Sequence, residues 1–172
     1  MSSNIFTPEN DGITHINIYS QGKTLLGRKL SHFDKAPFVH PYFGLFQSME
    51  GFWYYVRADT SKIEAEKLEK LRSLYGHEAK FYGKKLPSRF LPSFNTVIMD
   101  ANFQKIIQNP DIVELMIKSV LPFDHYYVNR NTSRQIRIQG FEWLINGFEV
   151  IREQIKQGQN PEPLDYEALM KN

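Results

Sequence analysis

The sequence predicts a predominantly helical α+β domain with a few short strands. Its clearest helix runs from about residue 141 to residue 155, where apolar side chains at three- and four-residue steps form one continuous stripe. A second helix is expected after Ser48, whose hydroxyl can accept a hydrogen bond from one of the first unpaired backbone N–H groups. Segments in which polar and apolar residues alternate, such as residues 13–19, are typical of strands. The stripe of the long helix consists of Phe141, Leu144, Ile145, Phe148, Ile151 and Ile155.

Turn signals divide the first part of the chain. Residues 1–12 are polar and predict an N-terminal lead-in segment without regular structure. The alternating residues 13–19 predict a strand with one buried face. Residues 38–39 and 42–46 predict two short strands or one hairpin, because nearby prolines exclude a helix. The helix that begins after Ser48 then has one apolar face, made by Met49, Phe52, Trp53 and Val56.

The middle of the chain predicts further helices. Residues 61–64, Ser-Lys-Ile-Glu, have the capping-box pattern that opens a helix, and Gly76 is placed to end it. Residues 77–82 predict another helical turn, and residues 84–92, which contain two prolines, predict a loop. Asn95 is placed to cap the next helix.

The last third of the chain predicts a helix, a strand pair and the long helix already described. Pro110 can occupy a first helical position and start a helix there. Residues 125–128 predict a short strand, with residues 136–138 as its partner. Residues 158–172 predict a polar tail with one helical turn, which leaves residues 13–157 as the folded domain.

The bulk composition excludes several classes of protein. Twenty-one Lys and Arg against 19 Asp and Glu give a net charge of +2, so a strong nonspecific nucleic-acid binder is not expected. Local basic patches occur at Arg28-Lys29, at Lys84-Lys85 and between Arg130 and Arg137. The absence of Cys excludes disulfides, thiolate nucleophiles and Cys-ligated zinc.

Neither a membrane, a metal nor a cofactor is predicted. The chain has no apolar run that could span a bilayer and does not open on a basic segment followed by an apolar one. We therefore expect a cytoplasmic protein, or one of the host cytoplasm if the gene is viral. The five His residues are scattered without helical pairing, and the phosphate-loop, dinucleotide and HExxH motifs are absent.

The helix after Ser48 also carries the most suggestive polar side chains. Glu50, Tyr54 and Arg57 lie at i, i+4 and i+7, beside the apolar face. An amphipathic helix with an acid in its first turn and a solvent-facing Arg explains this pattern. The same three side chains would equally suit one wall of a polar pocket.

Four segments combine polar groups with rings or glycine, namely residues 30–33, 48–50, 79–84 and 126–129. Taken singly, each is explained by a turn or a helix end. Together they favour a nucleotide or sugar-phosphate pocket, because rings stack on a base, amides and hydroxyls bind ribose, and Lys or Arg holds phosphate.

The order of these segments resembles the YbiA-like superfamily, also called NADAR for its proposed link to NAD and ADP-ribose chemistry. Ile16-Asn17-Ile18-Tyr19-Ser20 resembles the family's opening strand, and Ser31-His32-Phe33 resembles its Ser-Asn-Phe motif. The segment from Ser48 to Tyr54 resembles a helix with the motif Ser-x-Glu-His-Tyr. The segment from Ala79 to Lys84 resembles an Ala-x-x-x-Gly-Arg motif.

The resemblance continues into the later helices and covers roughly residues 13–156. Residues 98–115 and 144–152 resemble the family's later helices. Three departures stand out: His32 replaces an Asn, Gly51-Phe52 replaces His-Tyr, and residues 127–131 replace a Trp-Gly-Asp type of loop without a matching acid. A second carboxylate role is therefore not carried over.

The resemblance implies a YbiA-like fold and an N-glycosidase-like activity without a cofactor. Relatives cleave a ribose C–N bond, some in phosphorylated riboflavin-pathway intermediates and some in ADP-ribosylated guanine of nucleic acid. The implied partner is thus an ADP-ribose or ribose-phosphate small molecule, or a modified nucleic acid. The implied roles are catalysis for Glu50, phosphate binding for Arg57, Lys80 and Lys84, ring or ribose contacts for Tyr54 and Tyr127, and polar positioning for His32 and Asn129.

Two other classes of function remain open. A module of this kind could bind an ADP-ribose-like ligand without cleaving it, since the second motif is altered. A purely structural protein would bind no ligand beside Glu50.

Overall fold

A computed structural model describes residues 6–171, and helices make up most of its regular structure. Its strands are only two or three residues long. The α+β, predominantly helical class that the sequence predicts is confirmed. In chain order the elements are β1 (Ile16–Asn17), α1 (Leu25–Leu30), β2 (Phe38–His40), β3 (Gly44–Phe46), α2 (Met49–Arg57), α3 (Ala65–Glu69), α4 (Gly76–Gly83), α5 (Phe94–Ile107), α6 (Pro110–Lys118), β4 (Phe123–Asp124), β5 (Tyr127–Val128), β6 (Gln135–Ile136), α7 (Glu142–Lys156) and α8 (Tyr166–Leu169).

The chain forms two compact units, each made of two stretches of sequence. The first unit combines the chain up to Ser31 with Asp111–Gln159, and the second combines His32–Pro110 with the chain from Asn160 onward. The predicted domain limits at residues 13 and 157 stay a prediction.

The first unit contains a parallel strand pair covered by the long helix. β1 pairs with β4, with Ile16 opposite Phe123. Asn17 extends this pairing, because its side-chain amide donates to the Tyr126 carbonyl at 3.0 Å and accepts from the Tyr126 amide at 3.0 Å. α7 packs on β4, and the Phe148 ring lies 6.3 Å from the Phe123 ring. The predicted apolar stripe of this helix therefore faces the core of the unit.

A short hairpin, β5–β6, belongs to the same unit. Tyr127 pairs with Ile136 and Val128 with Gln135, so the predicted strand pair is confirmed in a shorter form. The turn between the strands is held by Asn129, whose Oδ1 accepts from the Asn131 amide at 2.9 Å and the Thr132 amide at 3.1 Å.

The second unit is built around α2 and an aromatic core. Of the two alternatives predicted before α2, two short strands or one hairpin, the hairpin is observed, since β2 and β3 pair antiparallel with Phe38 opposite Phe46. The Phe52 ring lies 5.0 Å from the Phe46 ring and 5.8 Å from the Phe38 ring. The predicted cap is also confirmed, because the Ser48 hydroxyl accepts from the Gly51 amide at 3.1 Å and donates to the Leu74 carbonyl at 2.8 Å.

Two predicted helix starts in this unit are wrong. The hydroxyl of Ser61 donates to Asp59 at 2.6 Å, and α3 begins only after Glu64, which makes no side-chain capping bond. α5 begins after Ser93, two residues before the predicted cap. Gly76, predicted to end a helix, is instead the first residue of α4.

The C-terminal segment is anchored in the second unit by Tyr166, on the single helical turn that the sequence predicts. Its ring packs 4.9 Å from the His40 ring, and its hydroxyl lies 2.9 Å from His40 Nε2 and donates to Asp100. Burial and the neighbouring Asp100 carboxylate raise the pKa of the Tyr166 hydroxyl above its ordinary value. Tyr166 therefore acts as a neutral, buried anchor.

α2 and α4 pack so closely that a glycine is required between them. A Cβ atom added at Gly83 would lie 2.1 Å from Cγ of Tyr54, far inside van der Waals contact. On another side of α2, a Cβ at Gly51 would lie 2.3 Å from the Leu71 carbonyl oxygen. These contacts fix the distance of α2 from its neighbours and hold the Tyr54 ring against α4.

We expect Gly83→Ala to destabilise the protein by about 1–3 kcal/mol, the usual cost of overpacking. A glycine-to-alanine change within a helix would otherwise stabilise by up to about 1 kcal/mol. In a Tyr54→Gly background the three Tyr54 atoms nearest to that Cβ, namely Cγ, Cδ2 and Cβ, are all absent, so the same substitution should become neutral or stabilising. Urea unfolding of the wild type, both single variants and the double variant measures this coupling. Equal losses in both backgrounds would contradict the packing described.

Candidate functional site

The first turn of α2 positions the carboxylate that the sequence singles out. Glu50 is the second residue of this helix, directly after the Ser48 cap and Met49. Its backbone N–H donates to the His32 carbonyl at 2.9 Å. The segment carrying His32 is therefore fixed to the start of α2, and two predicted site residues are neighbours.

Glu50 has an unusual protonation equilibrium. Burial raises the pKa of its carboxyl to about 7, while the positive charges of Lys80 and Lys84 act in the opposite direction. Burial is the larger effect, because removing a carboxylate from water penalises its charged form. At neutral pH both the acid and the carboxylate are populated, and this is the condition under which a side chain can transfer protons efficiently.

Both lysines lie on or directly after α4. Lys80 is in the middle of the helix, and its Nζ lies 5.4 Å from the centre of the Phe33 ring. Lys84 caps the C-terminal end of the helix and is exposed. Gly83 brings this end of α4 against Tyr54, so the close packing of two helices sets the charges around Glu50.

A small cavity of about 180 Å³ brings three predicted site residues together. Because ligand pockets for whole small molecules usually exceed about 300 Å³, this cavity suits a fragment such as a phosphate group. Two of its lining side chains are cations, which favours an anionic group. The cavity is lined by Tyr54, Arg57, Ala58, Gly83, Lys84, Leu86, Pro87 and Ser88.

His32 is held by a residue that sequence reasoning missed. Its Nε2 lies 3.2 Å from Nδ2 of Asn102, and its ring centre lies 5.6 Å from that of Trp53. Asn102 is fully buried in α5 and also donates to the Ile98 carbonyl at 3.0 Å. The available signal was an amide at the spacing of the apolar face, four residues from both Ile98 and Ile106, where an unpaired polar group would be costly.

Tyr127 and Asn129 belong to the first unit. The Tyr127 ring lies edge-on to the Tyr19 ring at 5.3 Å. Asn129 lines a cleft of about 510 Å³ together with Tyr19, Lys23 and Arg130. Their roles toward a ligand stay predictions.

Comparison with known proteins identifies the fold. No protein-family model matches this chain, and no curated protein matches it by sequence. Among solved structures, the chain is similar to the NMR structure of the Escherichia coli protein YbiA, with a TM-score of 0.62 over 92% of this chain and 100% of that chain. The fold is YbiA-like. At 15% sequence identity the likeness shows the fold alone.

Within this YbiA-like fold, the segments that carry the sequence resemblance in the second unit come together. His32 and Phe33 are the part of the first motif that lies in this unit, and the His32 carbonyl bonds the start of α2. Ala79 to Gly83 forms the part of α4 that packs on α2. Motifs that are far apart in the sequence of this unit therefore lie close together around α2.

Two kinds of feature are absent from residues 6–171, the part of the chain that the structure describes. No group of three or more His, Asp or Glu side chains there could hold a metal ion. No helix in that range is long and apolar enough to cross a membrane.

Proposed function

We propose that this protein is an N-glycosidase-like hydrolase that cleaves a ribose C–N bond in a substrate containing ADP-ribose or ribose phosphate. The observation that carries the proposal is Glu50, a largely buried carboxyl group with a pKa of about 7 beside two lysines. Strongly perturbed carboxyl groups of this kind concentrate at functional sites. The YbiA-like fold and the order of motifs support the same class of chemistry.

The proposed reaction uses Glu50 at the ribose carbon. As the C–N bond breaks, its electron pair leaves with the nitrogen and positive charge develops on the ribose, as in the oxocarbenium-like transition state of O-glycosidases. The Glu50 carboxylate stabilises that charge and accepts a proton from the attacking water. The water oxygen forms the new bond to carbon, and the proton is returned to the leaving nitrogen directly or through solvent.

The proposed binding contacts follow from charge and ring placement. Arg57 and Lys84 line the small cavity beside Tyr54, and with Lys80 they are the proposed phosphate ligands. Tyr54 supplies a ring or ribose contact, and His32 supplies polar positioning. Tyr127 and Asn129 are assigned ring and polar contacts by the sequence resemblance.

Product analysis with candidate substrates tests this function. We expect the wild-type protein to release ADP-ribose from ADP-ribosylated single-stranded DNA, or a sugar phosphate and a base from a riboflavin-pathway intermediate, with products identified by mass spectrometry. Calorimetry with ADP-ribose, run beside it, separates catalysis from binding. Tight binding without products would overturn the hydrolase and favour a binding module, and neither binding nor products would overturn both.

A further inference from the structure

One face of α4 carries rings and cations in alternation. His77, Lys80, Phe81 and Lys84 lie at i, i+3, i+4 and i+7, so they form one stripe along the helix, called the α4 stripe below. Ala79 and Gly83, between these positions, are buried instead. The Phe81 side chain is 60% exposed, which leaves most of its ring open to solvent.

The rings of this stripe are already arranged for stacking. The His77 and Phe81 rings lie 5.7 Å apart with planes 21° from parallel. Phe33 meets His77 edge-on at 5.0 Å, and Lys80 lies over the Phe33 ring. Stacked rings interleaved with cations match the way proteins bind single-stranded nucleic acid, with bases on the rings and phosphates on the cations.

The α4 stripe also borders the candidate site. Its two lysines are the charges that act on the Glu50 carboxyl. Lys84 also lines the small cavity with Tyr54 and Arg57, so a ligand along the stripe would reach the candidate site. Lys85, exposed and next to Lys84, extends the positive charge beyond the helix end.

The length of the α4 stripe favours a strand over a single nucleotide. The rise of about 1.5 Å per residue places Lys84 about 10 Å along the helix axis from His77. Stacked bases repeat about every 3.4 Å along one strand, so this length accommodates about three nucleotides. The net charge of +2 for the whole chain fits a local contact with a strand better than general affinity for duplexes.

We propose that the α4 stripe, together with Lys85, binds single-stranded nucleic acid, with a base stacked on Phe81 and backbone phosphates on Lys84 and Lys85. This binding does not depend on catalysis by Glu50. The proposed function enters only in what the binding is for. A strand held on the α4 stripe would present a modified base to the Glu50 carboxylate for cleavage.

Fluorescence anisotropy with an unmodified, labelled 12-nucleotide single strand tests the proposal. We expect Phe81→Ala to weaken binding by at least about fivefold, since removal of a base-stacking ring has an effect of that order. The matched control is Phe90→Ala, because Phe90 is 85% exposed in the same unit but lies outside α4. Phe90→Ala should bind like the wild type.

The salt dependence gives a second, independent readout. A Lys84→Gln, Lys85→Gln double variant should reduce the slope of log affinity against log salt by about 1.4, since each lost single-strand phosphate contact contributes about 0.7. Equal affinity of wild type and Phe81→Ala, tighter binding of the duplex than of the strand, or no binding by the wild type would overturn the proposal. Because the probe is unmodified, none of these outcomes depends on whether the protein is a hydrolase.

Discussion

Replacing Glu50 by Gln is expected to reduce turnover of a cleaved substrate by about 10²–10⁴-fold, the range that positioned acid–base groups contribute. The amide has nearly the same shape, so the Ser48 cap and the backbone bond from residue 50 to the His32 carbonyl should survive. It has no negative charge to stabilise the ribose cation and accepts no proton from water. Single-turnover kinetics on the best substrate from product analysis measures the loss.

Glu66→Gln is the matched control for this prediction. Glu66 also lies in the first turn of a helix, α3, but it is exposed, so the same change of charge should leave turnover unchanged. Circular dichroism confirms that both variants are folded. A Glu50→Gln variant with wild-type turnover would exclude Glu50 as the catalytic group.

α2 was predictable because the determinants of its first residue and of its buried face are local. The Ser48 hydroxyl bonds an amide three residues ahead, and Met49, Phe52 and Val56 are buried at the spacing the sequence gives. The same reasoning failed for α5, which begins at Phe94 after Ser93 and not after the predicted cap, Asn95. Ser93 makes no side-chain capping bond, and its hydroxyl donates to the Leu169 carbonyl, a partner 76 positions away that no local pattern indicates.

α1 had no predicted counterpart, and its central glycine explains why. A glycine at Gly27 argues against a helix when only propensity is considered. In the structure, a Cβ at this position would lie 2.2 Å from the Asn17 carbonyl oxygen, so the glycine permits helix and strand to approach closely. Gly27 therefore weakens the sequence pattern of a helix and is at the same time required where α1 packs against β1.

The residues of the candidate site were nominated from the sequence, but the protonation equilibrium of Glu50 was not predictable from it. Glu50 is separated from Lys80 and Lys84 by about 30 positions, and the sequence resemblance, rather than any spacing rule, brought them together. The burial that dominates the pKa of Glu50 depends on packing of α2 against its neighbours. Asn102, which holds His32, was missed because nothing in the sequence marks an amide on α5 as its partner.

The same burial predicts that Glu50 destabilises the folded protein as the pH rises. The pKa of Glu50 is about 7 in the folded state, against an ordinary value of 4.5. Between these pH values the folded state retains a proton that the unfolded chain has lost, so the free energy of unfolding falls as pH increases. The difference reaches about 3 kcal/mol above pH 7, because one pKa unit corresponds to about 1.4 kcal/mol.

Glu50→Gln should therefore be more stable than the wild type at pH 8 by up to about 3 kcal/mol, and nearly equal to it at pH 4.5. Urea unfolding of both proteins across this range measures the effect, with Glu66→Gln expected to follow the wild type. Parallel profiles for wild type and Glu50→Gln would contradict the raised pKa. A purely structural helix has no need of a carboxyl group that lowers stability at neutral pH. Gln would fill the same space and would not lower the stability. A variant that gains stability while it loses turnover would therefore identify Glu50 as a group kept for chemistry.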